Sequence, residues 1–564
     1  MRVGVAQSRL RRLLNVQSGR KLREYLTGYL MVLPATILVF VFGIFPVAFA
    51  LFVSVYKWRL KRGDYLGLMN YFQAAGDLTY VLLFGIAIGA AVAAYFTLRR
   101  LNGDAKVQGL VTWLLSVPGL ALSALAFSAI RWAVLALPPV LDIADKIIGK
   151  EHTRALFIQL LGEALAEPQV AAAWRLTMAI AAAVVVSAVL AARLLHLERR
   201  AEIVGRFSLL WLAIGIAGLL GWFTYTEVLS AAQQAAASGS ELSLGANVVL
   251  ISVGVALLVL AWIAWQSAAK ATNDWAFWGK ILAAGVLLVG GWVFISQLPT
   301  AIAQGDPDMW QGLVVTMYYS VGTVPFQLAI GMGLAILLFQ RLRGSELFRM
   351  LFFLPYVTPV VASAAVFRQL FSTRLQSPAN QILKLVGLPA SQWLRDPTGI
   401  FDMLGKVIGV EVPAWLVGPS LALVVIILYN IWVYAGYDAV IYLAGLGNID
   451  QELIEAAEID GASGWQVFRH IIFPLLSPTT YFLSLIAVIG TFKAFTQIWV
   501  LTVTPGGGSS ALGTTDTFSV VIFREFYTKL RYGYASALAF VLFAVILGLT
   551  LLNNRIQGSR VFYG

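Results

Sequence analysis

The chain has 564 residues, 59% of them apolar and only 12% charged, with a mean hydropathy of +0.81. Soluble domains carry about 25% charged residues, so a single water-soluble core is excluded and the apolar runs call for lipid as solvent. The net charge of +12 is read as the basic excess of cytoplasmic loops and not as a nucleic-acid footprint; the absence of cysteine excludes disulfides and thiolate metal sites, and His152, His196 and His470 are too scattered for a histidine metal site.

Residues 1–26 form a basic cytoplasmic segment with Arg2, Arg9, Arg11, Arg12, Arg20, Lys21 and Arg23. The apolar run from about Gly28 to Tyr56 is of spanning length, longer than the core of a cleavable signal peptide. A helix needs about 20 apolar residues to cross about 30 Å of hydrocarbon. Twelve spans are predicted, near 29–56, 80–98, 108–130, 176–196, 207–229, 246–266, 281–298, 312–339, 348–371, 417–444, 475–503 and 534–552. The expected fold is therefore all-α, a polytopic transmembrane helical bundle.

The positive-inside rule places both termini in the cytoplasm. The predicted inside loops then carry Arg99, Arg100 and Lys106; Arg193, Arg199, Arg200 and Arg206; Lys270 and Lys280; and Arg341, Arg343 and Arg349. One outside loop, with Lys57, Arg59, Lys61 and Arg62, breaks the pattern. Long outside segments are predicted at 131–172, at 372–415 and near 504–533, the last opening with Thr504-Pro505-Gly506-Gly507-Gly508, a turn signal.

The inside loop after the tenth span, 448–474, carries the most specific pattern. Asp450 suits a helix N-cap, and Glu452 sits in the first turn, where the helix dipole favours a carboxylate. Leu453, Ala456 and Ala457 share one face, with the two alanines leaving a flat patch that another protein can approach. Gly461 permits a sharp turn. Glu455-Ala456-Ala457, then three residues, Gly461, nine residues and Ile471-Ile472-Phe473-Pro474, resembles the EAA loop of ABC importer permeases, with Phe473 in place of the usual leucine. The resemblance implies that this loop is a coupling helix docked in a cleft of the ATPase subunit. Glu455 is then set against a basic group, and Ala456, Ala457, Asp460, Gly461, Ala462 and Pro474 shape the contact.

Other stretches resemble the sugar-type, MalF-like members of that family: Leu33-Pro34-Ala35 with Phe45-Pro46, Gly67-Leu68-Met69-Asn70-Tyr71, Arg349 through Leu354-Pro355, Gly490 to Phe495, and Gly533-Tyr534-Ala535-Ser536-Ala537. The likeness covers 27–75 and 306–564 and implies a type I ABC importer permease core. Between them, 76–305 reads as an inserted multi-span region of about six extra helices, an even number that keeps the 448–474 loop cytoplasmic.

No Walker A motif is present: Gly149-Lys150, Gly279-Lys280 and Gly405-Lys406 lack the following Ser or Thr. The resemblance therefore implies no cofactor in this chain, with MgATP on two copies of a partner ATPase, a second homologous permease, an extracytoplasmic solute-binding protein, and the cytoplasmic (inner) membrane of a bacterium or archaeon. Candidate pathway residues flank the loop, where aromatic faces and amides suit a sugar: Asn430, Tyr434 and Tyr437 on the tenth span, Phe492, Phe495, Thr496 and Gln497 on the eleventh. Asp438 and Lys493 are membrane-located charges that need partners or water. Two other function classes fit the sequence less well. A membrane-embedded polyprenol-dependent glycosyltransferase needs paired outside carboxylates, and Asp142 with Asp145 look instead like a solvated helix face. A secondary transporter would show an internal repeat that is not evident here.

Overall fold

The computed structural model describes residues 16–150, 153–194, 200–238, 244–268, 274–295, 305–340, 343–413, 417–502 and 511–557. His152, His196, Arg199, Lys270, Arg341, the Thr504–Gly508 turn and the terminal basic residues Arg2 to Arg12 and Arg560 lie outside them. The chain divides into two compact units, one of 1–74 with 305–564 and one of 75–304.

The first unit opens with α1 (Val16–Val39), a π-helical turn at Phe40–Ile44, and α2 (Phe45–Ser54). Helix thus begins within the basic segment, ahead of the expected start at Gly28. The basic loop after it is a small hairpin, β1 (Tyr56–Trp58) and β2 (Arg62–Tyr65), the one sheet among the described residues of an otherwise helical fold. Its aromatic residues suit a strand pair: Tyr56 and Tyr65 are register partners whose rings meet edge-on at 5.3 Å. Helix α3 (Met69–Ala75) follows. Asn70, nearly fully buried, donates from Nδ2 to the carbonyls of Ser54 (2.7 Å) and Tyr56 (3.2 Å) and so anchors the hairpin.

The second unit holds α4 (Leu78–Gln108), α5 (Ser116–Leu141), α6 (Arg154–Ala166), α7 (Pro168–Leu194), α8 (Arg200–Ser238), α9 (Leu244–Ala268) and α10 (Asp274–Ile295). All but α6 have 22 residues or more. Lipid gives no hydrophobic drive for helices to associate, so small residues and polar pairs set the contacts. Ser128 and Thr177 hydroxyls pair across α5 and α7 at 2.8 Å. Gly119 lets α5 approach α8 so closely that an added Cβ would lie 2.4 Å from the Phe207 Cβ.

The chain re-enters the first unit where it left it: the Asp306 N–H donates to the Ala74 carbonyl at 3.0 Å. There follow α11 (Pro307–Phe339), α12 (Ser345–Val357), α13 (Val360–Leu370), α14 (Pro378–Leu385), α15 (Ile400–Ile408), α16 (Leu421–Leu446), α17 (Gln451–Ile459), α18 (Gly464–Val467), α19 (Ser477–Phe492), α20 (Thr496–Thr502), α21 (Phe518–Phe523) and α22 (Tyr532–Gln557). Two expected spans are not single rods. The ninth bends by 94° between α12 and α13, because Pro359 has no N–H to continue the helix. The eleventh begins with a 64° bend at Leu476, between Pro474 and Pro478, stops at Phe492, and resumes only as α20. Among the described residues, eight helices are long and apolar enough to cross a membrane, or ten if each bent pair is one span. Two shorter apolar helices, Ile251–Ala261 and Trp278–Trp292, lie within α9 and α10.

Helix α16 is the axis of the first unit, buried over much of its length and packed against α11 and α12. Glycines permit this. A Cβ on Gly436 would lie 1.8 Å from the Phe352 carbonyl oxygen, and one on Gly331 would lie 2.7 Å from the Asp438 Cβ. Gly436→Val is therefore expected to cost about 1–3 kcal/mol and to lower the thermal midpoint of the detergent-solubilised chain. Gly333→Val, where nothing lies within 4 Å of an added Cβ, is the control that leaves the midpoint nearly unchanged.

Candidate functional site

Two regions of the first unit hold the predicted site residues: the loop between α16 and α19, and a cavity walled in part by those two helices. In the loop, the Asp450 Oδ1 accepts from the Glu452 N–H at 3.2 Å and caps α17. At the other end the Ala462 N–H donates to the Ala457 carbonyl (2.9 Å) and the Gly461 N–H to the Glu458 carbonyl (3.0 Å), a Schellman closure that requires Gly461 at φ +83°. Ser463 and Gln466 then form a capping box that starts α18. The local sequence alone thus specifies helix, stop and restart.

No residue of α17 is buried. Glu455 is exposed and held by Gln451, whose Nε2 donates to its Oε1 at 3.0 Å. Ala456 is exposed, while Ala457 and Ala462 are half-buried beside an open groove of about 380 Å³ that Asp460, Gly461 and His470 complete. Leu453, Ile459 and Trp465 are also exposed, Ile459 at 86%. Pro474 is half-buried in the turn that leads into α19. The helix is thus acidic and carries uncovered apolar side chains.

The second region is a cavity of about 220 Å³ between α11, α12, α16 and α19, closed by Gln497 of α20. It brings together Asn430, Tyr434, Tyr437 and Gln497 of the predicted pathway residues. Gln327, Tyr356, Asp438 and Thr491 join them. The wall is a connected polar network: Tyr319 Oη donates to Asn430 Oδ1 (2.8 Å), Asn430 Nδ2 to Gln327 Oε1 (3.2 Å), and Gln497 Nε2 to Tyr319 Oη (3.4 Å). Tyr356 stacks on Tyr437 at 4.4 Å and meets Tyr434 edge-on at 5.7 Å. Asp438 is 2% exposed and keeps its Oδ2 without a protein partner.

The other predicted pathway residues lie elsewhere. Phe492 is core, 1% exposed, Phe495 packs on Phe523 (4.5 Å) and Trp499, and Thr496 is exposed away from the cavity. Lys493 is exposed at the break between α19 and α20. Sequence reasoning missed Gln327, Tyr356 and Thr491. The available signal was a polar or phenolic side chain within an otherwise apolar span, which becomes specific only when α11, α12 and α19 are placed around α16. Asn430→Leu strands two buried partners, Tyr319 Oη and Gln327 Oε1, at about 1–3 kcal/mol each; a lowered thermal midpoint, together with faster hydrogen exchange in α11 and α16, is the expected result.

Residues 327–559 match the family described as binding-protein-dependent transport system inner membrane component. Over 250 residues the chain is 32% identical to the lactose transport system permease protein LacF of Rhizobium radiobacter, a match covering 44% of this chain and 76% of LacF. It is 28% identical over 274 residues to the arabinooligosaccharides transport system permease protein AraP of Bacillus subtilis, covering 48% of this chain and 79% of AraP. Among solved structures it is similar to a chain of a bacterial ABC transporter involved in the import of the acidic polysaccharide alginate, at 22% identity and a TM-score of 0.38, covering 45% of this chain and 80% of that one.

Proposed function

Because this chain belongs to the family of binding-protein-dependent transport system inner membrane components, we propose that its first unit pairs with a second, homologous permease to line a path for a sugar or sugar-like solute. The chain is a multi-pass inner-membrane permease subunit of an ABC importer, a transport component and not an enzyme. The glycosyltransferase and secondary-transporter readings are not favoured by that membership.

In this reading two ATPase copies bind MgATP, and each permease offers one of them a coupling helix. Here that helix is α17. Glu455 faces a basic group of the ATPase, Ala456 and Ala457 lie in its cleft, and Asp460, Gly461, Ala462 and Pro474 set the angle at which the helix is presented. The observation that carries the reading is the surface of α17: a helix capped at both ends by its own sequence, with no buried residue, and acidic and apolar at once. Such a surface is stable without a partner yet leaves apolar area uncovered, which is what a docking element requires.

The α17 side is assigned to the cytoplasm, with both chain termini, because basic residues concentrate in the loops on that side. The solute-binding protein then meets the opposite side, where 372–415 supplies α14 and α15. The cavity at Asn430, Tyr434, Tyr437 and Gln497 is assigned to the solute path, with tyrosine faces for a pyranose ring and amides for its hydroxyls. A sugar is favoured because the relatives are named for lactose and arabinooligosaccharide transport. We assign 76–305 to a helical extension inserted into the permease core. In support, the chain leaves the first unit at Ala74 and returns at Asp306, which bonds to it.

Affinity purification of the tagged full-length chain from membranes tests the coupling role. Wild type is expected to bring down an ATPase and a second permease. Glu455→Lys reverses a charge in the contact, and Gly461→Asp forces a side chain into the φ +83° turn; both should lose most of the ATPase while keeping the second permease. Recovery of no ATPase with wild type, under conditions that preserve membrane complexes, overturns the assignment.

A further inference from the structure

At the N-terminal end of α16, the end opposite the acidic loop, a cleft of about 200 Å³ is lined by Arg368, Arg374 and Arg395 together with Ser372 and Thr373. The three guanidiniums come from three places: the last turn of α13, the loop after it, and the 3-10 turn at Trp393–Arg395. No carboxylate lines the cleft, and among the described residues no ion pair engages any of the three. Arg368 has local reasons to be where it is. It sits at a helix C-terminus, where the dipole favours a cation, and its Nη1 donates to the Val500 carbonyl at 3.4 Å. The neighbouring Asp396 is turned to its own loop, its Oδ1 accepting from the Thr398 N–H at 2.9 Å.

The segments that carry these arginines are held in place. Asn380, 2% exposed, donates from Nδ2 toward the carbonyls of Ser372 (3.4 Å), Arg374 (3.0 Å) and Ser391 (3.3 Å). Its Oδ1 accepts from the Ser391 N–H (3.0 Å) and the Trp393 indole N–H (2.8 Å). Trp393 itself sits at φ +41°, a left-handed conformation unfavourable for a bulky residue, with its ring edge-on to Phe371 at 5.2 Å. The Ala422 N–H donates to the Asp396 carbonyl (3.3 Å) and the Leu421 N–H to the Thr398 carbonyl (2.9 Å), fixing the turn to the start of α16. The buried amide and the strained residue thus hold the segments of Arg374 and Arg395, and α13 with the Val500 contact holds Arg368, so that three like charges line one concavity. Mutual repulsion opposes that arrangement, and a bound anion removes the cost.

Guanidinium forks and hydroxyls offer donors in the geometry that carboxylate and phosphate accept. The concavity is small, sized for one acidic group with part of its carrier and not for the face of a helix or sheet. We propose that Arg368, Arg374 and Arg395 form an oxyanion site that captures the carboxylate or phosphate group of an acidic solute at this mouth of the path. The anion site stands on the three arginines and their scaffold; that its ligand is the transported solute rests on the permease reading above.

The test uses the full-length chain with its co-purifying subunits in phosphatidylcholine nanodiscs, titrated calorimetrically with inorganic phosphate, glucuronate and glucose. Saturable binding of glucuronate or phosphate, with none of glucose, is expected. Arg374→Gln with Arg395→Gln should weaken it by about tenfold or more, and the double lysine variant, which keeps charge but loses the fork, should fall between. Both residues are exposed, so folding is expected to survive. Absence of saturable anion binding together with no arginine-dependent stabilisation by phosphatidylglycerol nanodiscs, or anion binding unaltered in the glutamine variant, overturns the site. Arginine-dependent stabilisation by phosphatidylglycerol nanodiscs without binding of either soluble anion overturns the solute assignment in favour of a lipid headgroup. The purification of the ATPase reads the permease assignment separately, so the two fail in different experiments.

Discussion

The hydrogen-bond chain from Tyr319 through Asn430 to Gln327 joins α11 to α16 inside the bundle. In hydrocarbon an unpaired amide or phenol is costly, and helices gain little from burying apolar area they would bury in lipid anyway. Polar complementarity therefore decides which faces meet. Once α11 and α16 are registered by this chain, Gly331 and Gly436 let α11 and α12 close on α16. The tyrosines of α12 and α16 then stack, and the cavity takes its walls from what remains.

The breaks in the helices serve the same end. Irregular backbone at membrane depth is tolerated where it lines a cavity or is covered by protein. The α12–α13 bend at Pro359 brings Ser363 and Tyr429 hydroxyls together at 2.7 Å. The interruption between α19 and α20 sets Gln497 beside Tyr319 and leaves Lys493 exposed. Helix α16 has 26 residues, about 39 Å at 1.5 Å per residue, and links these elements: an acidic helix follows its C-terminus, and an arginine-lined cleft sits at its N-terminus.

The second unit follows the same physical logic with different residues, a hydroxyl pair at Ser128 and Thr177 and a close approach at Gly119. Its two connections to the first unit lie beside each other at Ala74 and Asp306, so a multi-helix segment is accommodated without separating α3 from α11. The motifs of the first unit meet across long stretches of chain. A Cβ on Gly533 would touch the Tyr56 carbonyl at 2.1 Å, and the Tyr534 hydroxyl donates to Asp306 at 2.6 Å.

What sequence alone determined is local or compositional. Low charge and long apolar runs decided a lipid-solvated helical protein, because backbone groups in hydrocarbon have to be satisfied within each helix. Asp450, Gly461 and the Glu455-Ala456-Ala457 run decided α17, because caps and left-handed turns depend on residues a few positions apart. Tertiary structure alone decided that Gln327, Tyr356 and Thr491 share a cavity with Asn430, and that Phe492 and Phe495 pack into the core instead of lining it. It also decided that Asn380 ties the segments of Arg374 and Arg395 together, beside Arg368 of α13. Those meetings join residues far apart in the chain. Their polarity is visible in sequence, but their partners are chosen only when helices without a hydrophobic drive between them find the one register that leaves few buried polar groups unpaired.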